Sequence, residues 1–94
     1  MADQAGSSCE VVLPDALLRL YPEAERRLTV AAPDVGAVIE HLDRRWPGMG
    51  HCLMDSRPAI RQHISIMIDG ERARLDTPLQ PGSTVYVLTA ISGG

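Results

Sequence analysis

The chain has 94 residues, enough for one domain around one small hydrophobic core. Its 45% hydrophobic content is ordinary for a globular protein, but Tyr21, Trp46 and Tyr86 are the only aromatics, so that core must be mostly aliphatic. The formal net charge of −3 gives no basic field for nucleic acid, no apolar run is long enough to span a bilayer, and the first residues lack a basic-then-apolar secretion signal. The expected address is therefore the cytoplasm, with neither nucleic acid nor membrane as a partner.

Residues 1–8 are small and polar and read as a flexible start. The β-branched run Glu10-Val11-Val12-Leu13 predicts a strand ended by Pro14. From Pro14 to Glu25 the pattern is irregular, with at most a turn of helix at Leu17-Leu18-Arg19-Leu20. Arg26 to Ala31 alternates, Leu28 and Val30 against Arg27 and Thr29, and predicts a half-buried strand that pairs with the first as a hairpin with a long loop.

Asp34 reads as a helix N-cap. Val35, Val38, Ile39, Leu42 and Trp46 then form one apolar helical stripe, with Glu40, Asp43 and Arg44 on the other side. Arg44 and Arg45 suit the negative end of the helix dipole, and Pro47-Gly48 ends the element. Met49 to Met54 is expected to be a short turn and 55–62 a polar loop. Ile64-Ser65-Ile66-Met67-Ile68 is a strictly alternating strand, and Asp69-Gly70 is a type I′ hairpin turn. The return strand is expected over Glu71 to Leu75, and the segment 78–82 turns into a final strand, Thr84 to Thr89, with Val85 and Val87 facing opposite to Tyr86 and Leu88. The result is an α+β domain over 9–89: a five-stranded sheet with one main helix packed on one face, leaving the other to water or a partner. Residues 90–94 read as a flexible tail.

Conventional catalytic or metal-binding patterns are missing from the sequence. His41, His51 and His63 have no zinc-ligand spacing, and the acids show no pairing suited to acid–base work. Gly48 and Gly50 follow a helix rather than a strand, so they are no phosphate loop. Cys9 and Cys52 stand alone, outside any redox or metal motif. All nine basic residues are arginine, so no side-chain amine is available for acylation.

The chain ends in Gly93-Gly94, directly after a strand expected to be central and rigid. Without Cβ atoms, such an arm can enter a narrow channel, and its last carbonyl is open to attack. A free carboxylate does not react with sulfur nucleophiles. Once joined to AMP as an acyl-adenylate, it has a good leaving group that sulfur displaces to leave a thiocarboxylate.

Several motifs here resemble the ThiS/MoaD family of sulfur carriers in thiamine, molybdopterin and cysteine biosynthesis. They are the helix from Asp34 to Trp46 with Pro47-Gly48, the strand Ile64 to Ile68 entering an Asp69-Gly70-Glu71 turn, Pro78-Leu79-Gln80-Pro81-Gly82, the last strand, and the terminal Gly-Gly. The loop around Leu53-Met54-Asp55 is most similar to the cysteine-synthesis group. Thr89 and Ala90 depart from the family, where one or two prolines often precede the tail.

The resemblance implies a ubiquitin-like β-grasp fold and a carrier that is not itself an enzyme. Gly94 would be adenylated and thiocarboxylated, with Gly93 and Ser92 as threading residues. It implies no cofactor on this chain, with ATP used by a ubiquitin-activating-like adenylyltransferase. The further partners would be a sulfur donor protein and a sulfur-accepting synthase. Tyr86, Leu88 and Met67 are the expected docking patch beside the tail. Three alternatives stay open: the small subunit of a molybdopterin synthase, a ubiquitin-like modifier of target lysines, and an interaction module with an idle tail.

Overall fold

A computed structural model describes residues 8–57 and 59–89. Its elements in chain order are β1 (Ser8–Val12), α1 (Asp15–Leu20), β2 (Arg27–Ala31), α2 (Val35–Arg45), α3 (Met49–Leu53), β3 (Ile64–Ile68), β4 (Glu71–Arg72) and β5 (Thr84–Thr89). The strands form one mixed sheet in the order β2-β1-β5-β3-β4. β1 and β5 run parallel at its centre, and the other neighbours are antiparallel.

Strand alternation sets the two faces. Val11, Val85, Val87, Ile64 and Ile66 are buried on the inner face with Leu28 and Val30. α2 supplies the opposing surface: its Val35, Val38, Ile39 and Leu42 are all at or below 1% exposure. The helix starts where the sequence predicts, because the Asp34 carboxylate accepts the Ala37 amide at 2.9 Å. It ends with the Trp46 amide donating to the Leu42 carbonyl.

Two segments are more ordered than the sequence indicates. Residues 15–20 are helical rather than irregular: Pro14 has the extended backbone of an N-cap, Leu17 is buried in the main core, and Arg26 pairs with Asp15. Residues 49–53 form helix α3 rather than a turn. There the Asp43 carboxylate of α2 accepts the amides of Gly48 and Gly50 at 3.1 and 2.9 Å, and Met49 and Leu53 are fully buried. A Cβ at Gly50 would sit 3.0 Å from the Asp43 side chain, so a larger residue there would push that carboxylate away by a few tenths of an ångström. The sheet is thus backed by one principal helix and two short ones that share its core.

β4 is shorter than expected. The Asp69-Gly70 turn has both residues in the left-handed region, at φ 54° and 84°, as a type I′ hairpin demands. Pairing covers only Met67–Arg72 and Ile68–Glu71, plus a last bond from the Ala73 amide to the Ile66 carbonyl. Beyond Ala73 the chain leaves the sheet for the start of α2. There the Leu75 carbonyl accepts the Gly36 amide and the Thr77 carbonyl accepts the Val35 amide, satisfying first-turn donors that a helix leaves free. Leu75, expected to continue the strand, instead serves the helix.

Candidate functional site

β5 is the element on which the site is built. It is held on both sides, parallel to β1 and antiparallel to β3 through five residue pairs from Ile64–Thr89 to Ile68–Val85. Its inward Val85 and Val87 are at 0% and 2% exposure, while the outward Tyr86 and Leu88 are at 42% and 44%. The period-two pattern thus anchors the strand by one face and presents two large apolar side chains on the other.

Register brings the third predicted residue beside them. Met67 lies opposite Tyr86, and Ser65 opposite Leu88. Val12 of β1 pairs with the other side of Tyr86. Val12, Tyr86 and Met67 therefore form a row across the three central strands, with Leu88 one step nearer the end of β5. Arg27 lies beyond Val12 on β2, and Arg72 beyond Met67 on β4. The open face is an apolar centre with a guanidinium at each edge.

The two arginines are held differently. Arg27 donates to the Glu10 carboxylate at 2.9 Å. That bond and charge, with a smaller contribution from Tyr86, push the already high guanidinium pKa further up. Arg72 donates to the Ser65 hydroxyl at 3.3 Å. Both are exposed, so these contacts orient the side chains more than they stabilise the fold.

Val12, Arg27 and Arg72 were not singled out from the sequence. The outward parity of Val12 is visible in its strand, but its place beside Tyr86 depends on β5 inserting between β1 and β3. Thr89, the last described residue, pairs with Ile64. The other predicted site residues, Ser92, Gly93 and Gly94, lie outside the described residues.

The cysteines are apart from this face. Cys9 is buried with its thiol against the Val30 carbonyl at 3.5 Å, and burial pushes its pKa up, away from the reactive thiolate. Cys52 is half-buried with its sulfur 3.7 Å from the Gly48 carbonyl. Among the described residues no group of His, Cys, Asp or Glu is placed to hold a metal ion, and no helix is long and apolar enough to cross a membrane.

The sheet order and the helix packed on its inner face define a ubiquitin-like β-grasp protein. Solved structures agree in fold: SAMP1 from Haloferax volcanii superposes with a TM-score of 0.77 at 22% identity, covering 93% of this chain and 99% of that one. The Amycolatopsis orientalis BexX/CysO complex gives 0.79 at 21% identity, covering 92% and 99%. CysO from Mycobacterium tuberculosis gives 0.75 at 24% identity, covering 88% and 99%.

Within that class the chain belongs to the ThiS family, whose sequence profile matches residues 17–94. Among curated relatives, the sulfur carrier protein CysO of Mycobacterium tuberculosis is 29% identical over 84 residues, 83% of this chain and 90% of the relative. CysO of Mycobacterium bovis is similar to the same extent.

Proposed function

We infer that this protein is a sulfur carrier whose reactive group is the carboxylate of Gly94. The observation that carries the reading is the family match, which runs through Gly93 and Gly94. The relatives named as sulfur carriers are similar over most of the chain's length. The geometry fits: β5 is fixed between two strands, so a tail leaving Thr89 starts from a rigid platform.

In this reading an ATP-dependent adenylyltransferase of the ubiquitin-activating kind transfers AMP to the Gly94 carboxylate and releases pyrophosphate. A sulfur donor then displaces AMP, leaving a terminal thiocarboxylate that a synthase consumes. The sulfur would go to cysteine, thiamine, molybdopterin or a specialised metabolite. The carrier binds no cofactor of its own; ATP belongs to the activating partner. Gly93 and Ser92 thread the partner's channel, where absent or small side chains lower the steric barrier. Tyr86, Leu88, Met67 and Val12 form the docking surface, apolar at the centre as interface cores are. One of the solved neighbours is a complex of a CysO with BexX.

The test is intact mass spectrometry after incubation with ATP, an activating enzyme and a sulfide source. One oxygen should be exchanged for sulfur, and fragmentation should place the change on Gly94. Deleting Gly94 shortens the arm by about 3.5 Å and should abolish the product, because positioned catalysis does not tolerate such a gap. A persulfide on Cys9 or Cys52 instead would move the carrier chemistry off the tail.

A further inference from the structure

The two edges of the sheet are finished differently. β4 is only two residues long, Glu71 and Arg72, both charged and exposed. A short, charged edge strand is a usual guard against unwanted pairing. β2 lacks that guard. It runs for five residues, pairs with β1 one to one from Ser8–Ala31 to Val12–Arg27 without a bulge, and contains neither Pro nor Lys. Its single charge, on Arg27, is already held by the Glu10 carboxylate at 2.9 Å.

Parity fixes which backbone groups of β2 face outward. Next to the Val12–Arg27 pair, the Leu13 amide donates to the Arg26 carbonyl at 2.7 Å. Antiparallel pairs alternate between bonded and non-bonded. Leu28 and Val30 therefore direct their amides and carbonyls to β1, while Arg27, Thr29 and Ala31 turn theirs away from it. On β1, the Glu10 amide and the Ser8 carbonyl bond instead to Ser83 and Gly82 beside β5, as that parity requires. Arg27, Thr29 and Ala31 are all exposed, and among the described residues none of their amides or carbonyls has a hydrogen-bond partner.

Thr29 is the centre of these three. An identical strand laid antiparallel about Thr29 pairs all of them at once: Arg27 with Ala31 of the second copy, Thr29 with its own counterpart, and Ala31 with Arg27. Each such pair exchanges two backbone bonds. The side chains suit that register. A long cation faces a methyl group, the two threonines sit opposite each other, and no like charges meet. Sliding by two residues loses one of the three pairs, and sliding by four sets Arg27 directly against Arg27.

We propose that this edge is a self-association site, at which β2 pairs antiparallel with β2 of a second copy of this chain and joins the two sheets into one. The two-fold axis then stands perpendicular to the sheet at Thr29, so both open faces lie on the same side. β5 runs antiparallel to β2, and the two β5 strands therefore point in opposite directions along the joined sheet. Tyr86 and Leu88 lie two strands in from the junction and stay uncovered. The site does not depend on sulfur chemistry at Gly94. Leu28 and Val30 are buried before association, so pairing adds backbone bonds and little apolar area. Interfaces that small are weak, and a dissociation constant of about 0.1–1 mM is expected.

The test follows the full chain from about 10 µM to about 2 mM by sedimentation equilibrium and by NMR of labelled protein. The expected result is a monomer–dimer equilibrium with concentration-dependent shifts and slowed amide exchange at Arg27, Thr29 and Ala31. The Leu28 and Val30 amides should be protected at every concentration. In a mixture of labelled and unlabelled protein, the Cα proton of Leu28 should contact that of Val30 in the second copy, because the two face each other as a non-bonded pair. Thr29→Lys places like charges opposite each other; it should keep the fold and weaken association about threefold or more, as should Thr29→Glu. Mixing the Thr29→Lys and Thr29→Glu variants should restore association, since opposite charges then meet.

A chain that stays monomeric up to about 2 mM would overturn the proposal. So would association unaffected by Thr29→Lys, or concentration-dependent shifts confined to Met67, Tyr86 and Leu88, which would make the open face the contact between copies. Slow exchange of the Thr29 amide at the lowest concentration would show that the same chain already covers this edge, and would equally refute it.

Discussion

Met67 on β3 stands directly opposite Tyr86 on β5, on the sheet face that no helix covers. Val12 flanks Tyr86 from the other side, and Leu88 extends the surface towards the end of the strand. In the proposed carrier reading, this apolar row over the last described element is the surface an activating enzyme would grip to aim the Gly94 carboxylate.

Leu88→Arg should therefore impair adenylation without unfolding the chain. Leu88 is nearly half exposed, so the charge is solvated in the free protein. In a dry contact an unpaired charge costs several kcal/mol. Pyrophosphate release with a competent activating enzyme should fall by at least about tenfold, while thermal unfolding and far-UV circular dichroism stay unchanged. Unaltered adenylation kinetics would show that face to be ordinary surface.

The helix cap and the helix stripe should differ in weight. Asp34→Ala removes the acceptor for the Ala37 amide and should cost about 1 kcal/mol. Leu42→Ala empties a site that is completely buried and should cost about 2–5 kcal/mol. Urea denaturation of the two variants measures both, and a larger loss for Asp34→Ala would contradict the packing described.

Neither thiol should be needed for carrier activity. The Cys9→Ala, Cys52→Ser double variant should remain folded and accept sulfur at Gly94 as the parent does. In the parent, iodoacetamide should modify Cys52 before Cys9, because Cys9 is buried and its pKa is raised by that burial. Mass mapping of a partial reaction gives the order, and faster labelling of Cys9 would refute it.

The loop after α3 should open in acid. The Asp55 carboxylate accepts from the Arg57 side chain and from the amides of Arg57 and Ala59. The Arg57 contacts are the main cause of a pKa lowered to about 2. A carboxylate with a depressed folded pKa stabilises the loop fully above its ordinary range near 3.8 and loses that contribution as pH falls through about 2. Amide exchange at Ala59, corrected for intrinsic rates, should lose protection between pH 4 and 2 in the parent. Asp55→Asn should show no such step. A parent profile as flat as the variant's would refute the role given to Asp55.

The sequence by itself determined whatever depends on near neighbours. The strands at Ile64–Ile68 and Thr84–Thr89, the cap and stripe of α2, and the Asp69-Gly70 turn all follow from residues within a few positions of one another. So did the outward direction of Tyr86 and Leu88, since strand parity is a local property. The family's terminal Gly-Gly was legible for the same reason.

Tertiary structure decided what depends on segments distant in the chain. Residues 15–20 and 49–53 became helical because Leu17, Met49 and Leu53 found places in a common core, and because Asp43 could reach the amides of Gly48 and Gly50. β4 stopped at Arg72 because α2, more than thirty positions earlier, took the carbonyls of Leu75 and Thr77 for its unpaired amides. Only the insertion of β5 between β1 and β3 put Val12 beside Tyr86. Hydrogen-bond demand and burial act between surfaces that meet only after folding, so the local pattern of residue types does not reveal which distant groups will satisfy each other.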